Sequence, residues 1–206
     1  MKNALLKSAI ATALVLPAIA NAESQFTTGA GSPITATARL DFQITIPKIL
    51  FLQVGTGTAN ANNATVNQIA FSVAAANVGD STVIAATAGS GDLGNGTVTA
   101  KVVGNNGNIT FTSTTLGALS NGAGDTISYA QVATAVATNT SAVALAHPAL
   151  VDAATTTLTL TPAAGKIIVR DAKWTFTYLN QNVVAPGVYG GVNANNSRVT
   201  YTASMP

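Results

Sequence analysis

His147 is the one histidine of the 206-residue chain, and it stands directly before Pro148. A hydrolase built on a hydroxyl nucleophile needs a base beside it and a third group to orient that base. The sequence has no Gly-x-Ser-x-Gly elbow, and a residue before proline is held in extended backbone. His147 therefore reads as a loop residue rather than a base. The carboxylates Asp41, Asp80, Asp92, Asp125, Asp152 and Asp171 are scattered singly. Acids paired for glycoside hydrolysis would have to meet in space, whereas most of these stand beside Gly, Ser or Ala, where an aspartate closes an Asx-turn. Gly91-Asp92 lacks the repeated acidic ligands of a calcium loop, and its glycines do not open a helix after a strand, as a phosphate cradle requires. Cysteine is absent, which removes thiol nucleophiles and thiolate-held metals. The expectation is a chain that is not an enzyme, with no catalytic residue, no metal site and no cofactor.

Trp174, Phe176 and Tyr178 alternate along one stretch and so share one face of a strand. Such a face is either a carbohydrate-binding platform or a cluster in a sandwich core, and the core reading is preferred. Asn-x-Ser/Thr triplets such as those beginning at Asn63, Asn95, Asn108 and Asn139 match a glycosylation acceptor. The bacterial form of the leader described below makes that match almost meaningless.

The elements that position these residues are strands. Nearly half of the chain is apolar, 48%, and only 8% is charged, which excludes a chain disordered for want of hydrophobic groups. Val and Thr suit a half-buried pleated surface, while Gly and Asn supply turns. Ile34, Ala36, Ala38, Leu40, Phe42, Ile44 and Ile46 alternate with polar residues over thirteen positions and predict one long strand. Pro47 interrupts it, and Ile49–Val54 resumes as a buried strand. Further strands are expected at 66–74, 81–87, 96–103, 108–114, 156–161, 167–169, 173–179 and 197–204, with 104–108 as the turn of a hairpin. Residues 127–145 are alanine-rich, and the pattern fits either a short helix opened at Ser128 or a loop. Many short strands between turns make an all-β sandwich or barrel.

Residues 1–22 have the three parts of a secretory signal: Lys2 and Lys7, an apolar run from Ala9 to Ile19, and Ala20-Asn21-Ala22 for cleavage. The run is shorter than the about 20 residues that span a bilayer. Removing it also removes the net charge of +2, because the remaining seven basic and seven acidic side chains cancel. With no basic patch, nucleic acid and anionic lipid lose their electrostatic footing as partners. The expected organisation is a signal at 1–22, a Ser/Thr/Gly tether at 23–33 whose apolar side chain is Phe26, and one domain at 34–206, with no membrane span once the signal is gone.

At the far end, Gly187-Val-Tyr-Gly-Gly191 leads through an Asn-rich turn to a strand in which Val199, Tyr201 and Ala203 share a face. With the export signal and the alternating Ile34–Ile46 segment, this ending resembles the fimbrial subunits of Gram-negative bacteria assembled by the chaperone-usher route. The resemblance implies an immunoglobulin-like β-sandwich, export through the periplasm to the cell surface, and a structural role in a fimbria that supports adhesion. It implies as partners a periplasmic chaperone, an outer-membrane usher and copies of the same or related subunits. Assembly is then by β-strand complementation, in which a strand from one subunit fills the sheet of another. The donor is either the tether or part of Ile34–Ile46, and the residues expected to engage are Ile34, Ala36, Ala38, Leu40, Phe42, Ile44, Val199, Tyr201 and Ala203. The chain lacks the disulfide that many such subunits carry. The alternative is a self-contained secreted or outer-surface sandwich that binds glycan on Trp174, Phe176 and Tyr178.

Overall fold

The computed structural model describes residues 24–206; the expected signal at 1–22 lies outside the described residues. The chain divides after Ile46 into one unit up to that residue and a second comprising Pro47–Pro206.

The second unit is all-β. In chain order its strands are β1 (Leu50–Val54), β2 (Ile84–Ala85), β3 (Thr97–Gly104), β4 (Ile109–Thr114), β5 (Leu119–Ser120), β6 (Thr126–Ile127), β7 (Val132–Thr138), β8 (Thr155–Leu160), β9 (Ile168–Tyr178) and β10 (Thr200–Ser204). One antiparallel sheet runs β1-β3-β9-β7, with β2 pairing the far end of β9 past the start of β3. The other is the antiparallel trio β10-β4-β8. A small hairpin, β5-β6, stands apart.

Period-two patterning decides which faces meet. In β3, Val98, Ala100 and Val102 are buried while Thr97, Thr99 and Lys101 are not. In β4, Ile109, Phe111 and Ser113 point inward. The two inner faces pack as a sandwich around Phe111 and Trp174, stacked with ring centroids 6.1 Å apart. Gly96 marks the point where β9 passes from β3 to β2. Its φ of 76° suits glycine, and a Cβ there would come within 2.6 Å of the Ala86 Cβ and 2.9 Å of the Phe176 carbonyl.

Several expectations change. Residues 104–108 do not close a hairpin, since β3 and β4 belong to different sheets and the turn carries the chain from one layer to the other. The two strands expected at 167–169 and 173–179 are one continuous strand, β9. The ambiguous stretch resolves into a 3-10 turn at Tyr129–Gln131, whose Ser128 side chain accepts from the Ala130 N–H, followed by β7. Residues 66–74 contribute an isolated bridge, Phe71 with Ala86, rather than a strand. Among the described residues no helix is long and apolar enough to cross a membrane.

Candidate functional site

The aromatic face lies inside the sandwich, and half-buried His147 stands against it. Trp174, Phe176 and Tyr178 are all buried, so the face is core and offers no platform to a sugar. The segment from Leu145 to Pro148 runs between the layers: the Trp174 Nε1–H donates to the Leu145 carbonyl at 2.8 Å, and His147 Nε2 lies 2.7 Å from the Tyr201 hydroxyl. The His147 ring meets Trp174 edge-on with centroids 4.6 Å apart. Burial among these rings pushes its pKa down to about 4, since a buried imidazolium loses its hydration. Burial likewise pushes the Tyr201 hydroxyl up. The pair is therefore neutral at pH 7.

Asp171 is the buried carboxylate, 3% exposed, although the alternation of β9 points it outward. The returning segment after β7 covers it. Thr140 and Ser141 each donate to it from backbone N–H and side-chain hydroxyl. Burial alone would raise its pKa, but these bonds outweigh that and hold the carboxyl well below the ordinary range. Asp92 accepts from the Thr99 N–H at 2.8 Å and Asp152 from the Tyr129 N–H at 2.8 Å. Asp80 accepts from the Thr82 N–H at 2.8 Å and Asp125 from the Asn121 side-chain amide at 2.8 Å. Each thus serves a turn or a strand end. Among the described residues no three acidic, histidine or cysteine side chains converge on a point where a metal would sit.

What remains is one edge of the sandwich. β1 ends one sheet and β10 ends the other, and the two strands lie close to each other. Each pairs on one side only, β1 with β3 and β10 with β4, so the outer N–H and C=O groups of both lack a strand partner among the described residues. Side chains on this edge are short of cover. Leu52 and Val54 of β1, with Tyr201, Ala203 and Met205 at β10, pack on the core yet stay partly exposed. Val199, expected to share the face of Tyr201, precedes β10 and is half-buried. Gly104 lets the end of β10 approach: a Cβ there would lie 3.3 Å from the Met205 sulfur.

The two free edges are not equivalent. At β1 the following loop crowds in, and the Gln53 side-chain amide donates to the Gly55 carbonyl at 2.9 Å and the Gly57 carbonyl at 3.3 Å. That loop and β1 enclose a shallow polar pocket reaching Asn63 and Thr65. Among the described residues β10 makes no backbone hydrogen bond outside its ladder with β4.

In the first unit, the segment expected as a long strand forms none of the strand pairs seen among the described residues. A thirteen-residue alternation predicts a half-buried strand, but the segment carries no strand assignment among the described residues. Ile34, Ala36 and Ala38 are exposed, and Leu40, Phe42, Ile44 and Ile46 are 76%, 85%, 85% and 76% exposed. The tether folds back locally, with the Thr37 N–H donating to the Gln25 side chain at 2.9 Å and the Thr27 hydroxyl to the Thr35 carbonyl at 3.2 Å. No protein-family model, curated protein or solved structure matches the chain.

Proposed function

We propose that the protein is a structural subunit of a bacterial surface fimbria, without an active site, and that it assembles by strand complementation. The observation that carries this reading is the exposed row Leu40, Phe42, Ile44 and Ile46 in a chain whose sandwich ends in an open, under-covered edge at β10. Exposed alternating apolar residues and unpaired strand edges are both liabilities that soluble proteins ordinarily blunt. One strand added from a neighbouring copy removes both at once. Its backbone pairs with β10, and its alternate side chains cover Tyr201, Ala203 and Met205.

The magnitudes support a stable junction. Burying four such side chains contributes about 6 to 12 kcal/mol at about 1.5 to 3 kcal/mol each, enough to compete with the about 4 to 15 kcal/mol lost on association. Pro47, which cannot donate to a ladder, limits the donor at Ile46 and keeps it distinct from β1. The donor is thus the second half of the alternating segment, and the tether before it serves as spacer. An exported subunit with an open edge needs a chaperone in the periplasm and an usher at the outer membrane, and its destination is the cell surface.

The test is to express the protein in the bacterial periplasm, alone and with a candidate chaperone, and to separate the products by size and on unheated denaturing gels. Recovery as a chaperone complex, or as ladders that resist detergent until heated, supports the reading. A stable monomer at high concentration with its apolar row still exposed refutes it.

A further inference from the structure

The chain contains three Asn-Gly pairs, Asn95-Gly96, Asn106-Gly107 and Asn121-Gly122. An asparagine side-chain amide followed by glycine is open to attack by the glycine's own backbone nitrogen, because glycine has no Cβ to obstruct the approach. The fold treats the three pairs differently. The Gly96 N–H donates to the Ser90 carbonyl at 2.9 Å and the Gly107 N–H to the Lys166 carbonyl at 2.9 Å, so both nitrogens are held in backbone hydrogen bonds. Gly96 is buried as well.

Asn121 opens the turn between β5 and β6. Its side-chain carbonyl accepts from the Ala123 N–H at 2.8 Å and from the Asp125 N–H at 3.1 Å. Its side-chain nitrogen donates to the Asp125 carboxylate at 2.8 Å. The Gly122 N–H donates to the Ser120 hydroxyl at 2.9 Å rather than to a backbone carbonyl. Residues 122–125 are exposed, so water reaches the turn. An Asx-turn accounts for the bond from Ala123. The second N–H, the carboxylate on the amide nitrogen and the hydroxyl on the glycine N–H go beyond it. Two N–H groups aimed at one carbonyl oxygen withdraw charge from its carbon, and they stand ready for the negative charge that an attacking nitrogen places on that oxygen.

We propose that Asn121 is a site of self-catalysed deamidation. The Gly122 nitrogen loses its proton to water by way of the Ser120 hydroxyl and forms a bond to Asn121 Cγ. The carbonyl oxygen carries the resulting negative charge between the N–H groups of Ala123 and Asp125. As the carbonyl reforms, the Cγ–Nδ2 bond breaks, and the nitrogen takes a proton from water beside the Asp125 carboxylate and leaves as ammonia. Water then opens the cyclic imide to aspartate or isoaspartate. One water is consumed and one ammonia released, with no oxidant or reductant. The product sets a second carboxylate against Asp125 where a hydrogen bond stood, in the hairpin whose Ser120 backbone bonds both Gly190 and Asn195 ahead of β10. The proposal is independent of strand exchange, because the reaction lies within one turn of one chain.

The test is to hold the purified, folded chain at mildly alkaline pH, sample it over time and locate each conversion by fragmentation mass spectrometry. Asn121 should convert at least about tenfold faster than Asn95 or Asn106, equivalent to about 1.4 kcal/mol in the barrier. In urea the three rates should converge, because the turn is gone and the dipeptides are alike. Asp125→Ala should slow conversion at Asn121 by about tenfold while leaving the rates at Asn95 and Asn106 unchanged. Circular dichroism checks that the variant is folded, and Asp125→Asn replaces Asp125→Ala if the latter is not. Equal rates at the three sites in the folded chain, faster conversion of Asn121 in urea than in the folded chain, or an Asp125 variant as fast as the unaltered protein would each overturn the proposal.

Discussion

Lowering the pH from 7.5 to 4 should destabilise the sandwich through His147. The ring is neutral in the folded protein because burial against Trp174, Phe176 and Tyr201 holds its pKa at about 4, whereas an unfolded chain takes up a proton near 6.5. Below that value the unfolded state binds one more proton than the folded state, so stability falls with pH at about 1.4 kcal/mol per unit. The loss begins near pH 6.5 and levels off near pH 4, amounting to about 3 kcal/mol at most. Asp171, whose carboxyl is held low by its hydrogen bonds, contributes stability present above its ordinary value and lost only at more acid pH, so the two windows separate. The assay is urea unfolding followed by tryptophan fluorescence at half-unit steps, comparing the protein with His147→Gln. The variant should be less stable at pH 7.5 but nearly flat between pH 6.5 and 4. A flat profile for the unaltered protein, or an equally steep one for the variant, would refute a buried neutral ring.

Trp174→Ala should destabilise the fold by about 3 to 5 kcal/mol, since the indole is fully buried and its N–H is bonded to Leu145; calorimetry reads the fall in melting temperature. Asp171→Asn should cost about 1.5 to 3 kcal/mol, because the charge-assisted bonds from Thr140 and Ser141 weaken, and denaturant midpoints at pH 7 check it. Gly96→Ala should prevent the close approach of β2 to β9, given its positive φ and the 2.6 Å contact a Cβ would make; increased hydrogen exchange at Ile84–Ala86 is the expected readout. Phe42→Asp should leave the melting temperature of the isolated chain unchanged, because the ring is 85% exposed, yet abolish heat-sensitive ladders on denaturing gels.

The sequence made the strands legible where one face is buried and the other wet. β1, β3, β4, β8 and β10 lie within a few residues of their expected places, and the aromatic row of β9 is core, with Trp174 between Val98 of β3 and Val136 of β7. The layer assignment of β3 and β4 was not legible, because a Gly/Asn turn has the same composition whether it closes a hairpin or crosses between sheets. The alternation of Ile34–Ile46 carries the information for a strand but not for its partner, since period two specifies a face and says nothing about which edge completes it. His147 is a loop residue as read, but its contact with Tyr201 was not legible because Tyr201 is far away in sequence.

Strand complementation is tested most directly by cross-linking between copies, which the absence of cysteine makes clean. One preparation carries Gln43→Cys or Thr45→Cys in the donor segment, and a second carries Thr200→Cys, Thr202→Cys or Ser204→Cys on β10. The two are mixed under mild oxidation. Disulfides joining two chains in a pattern that alternates along β10 are the expected result. Absence of any such bond, or its formation within one chain at high dilution when both cysteines are placed together, would contradict assembly by exchange between subunits.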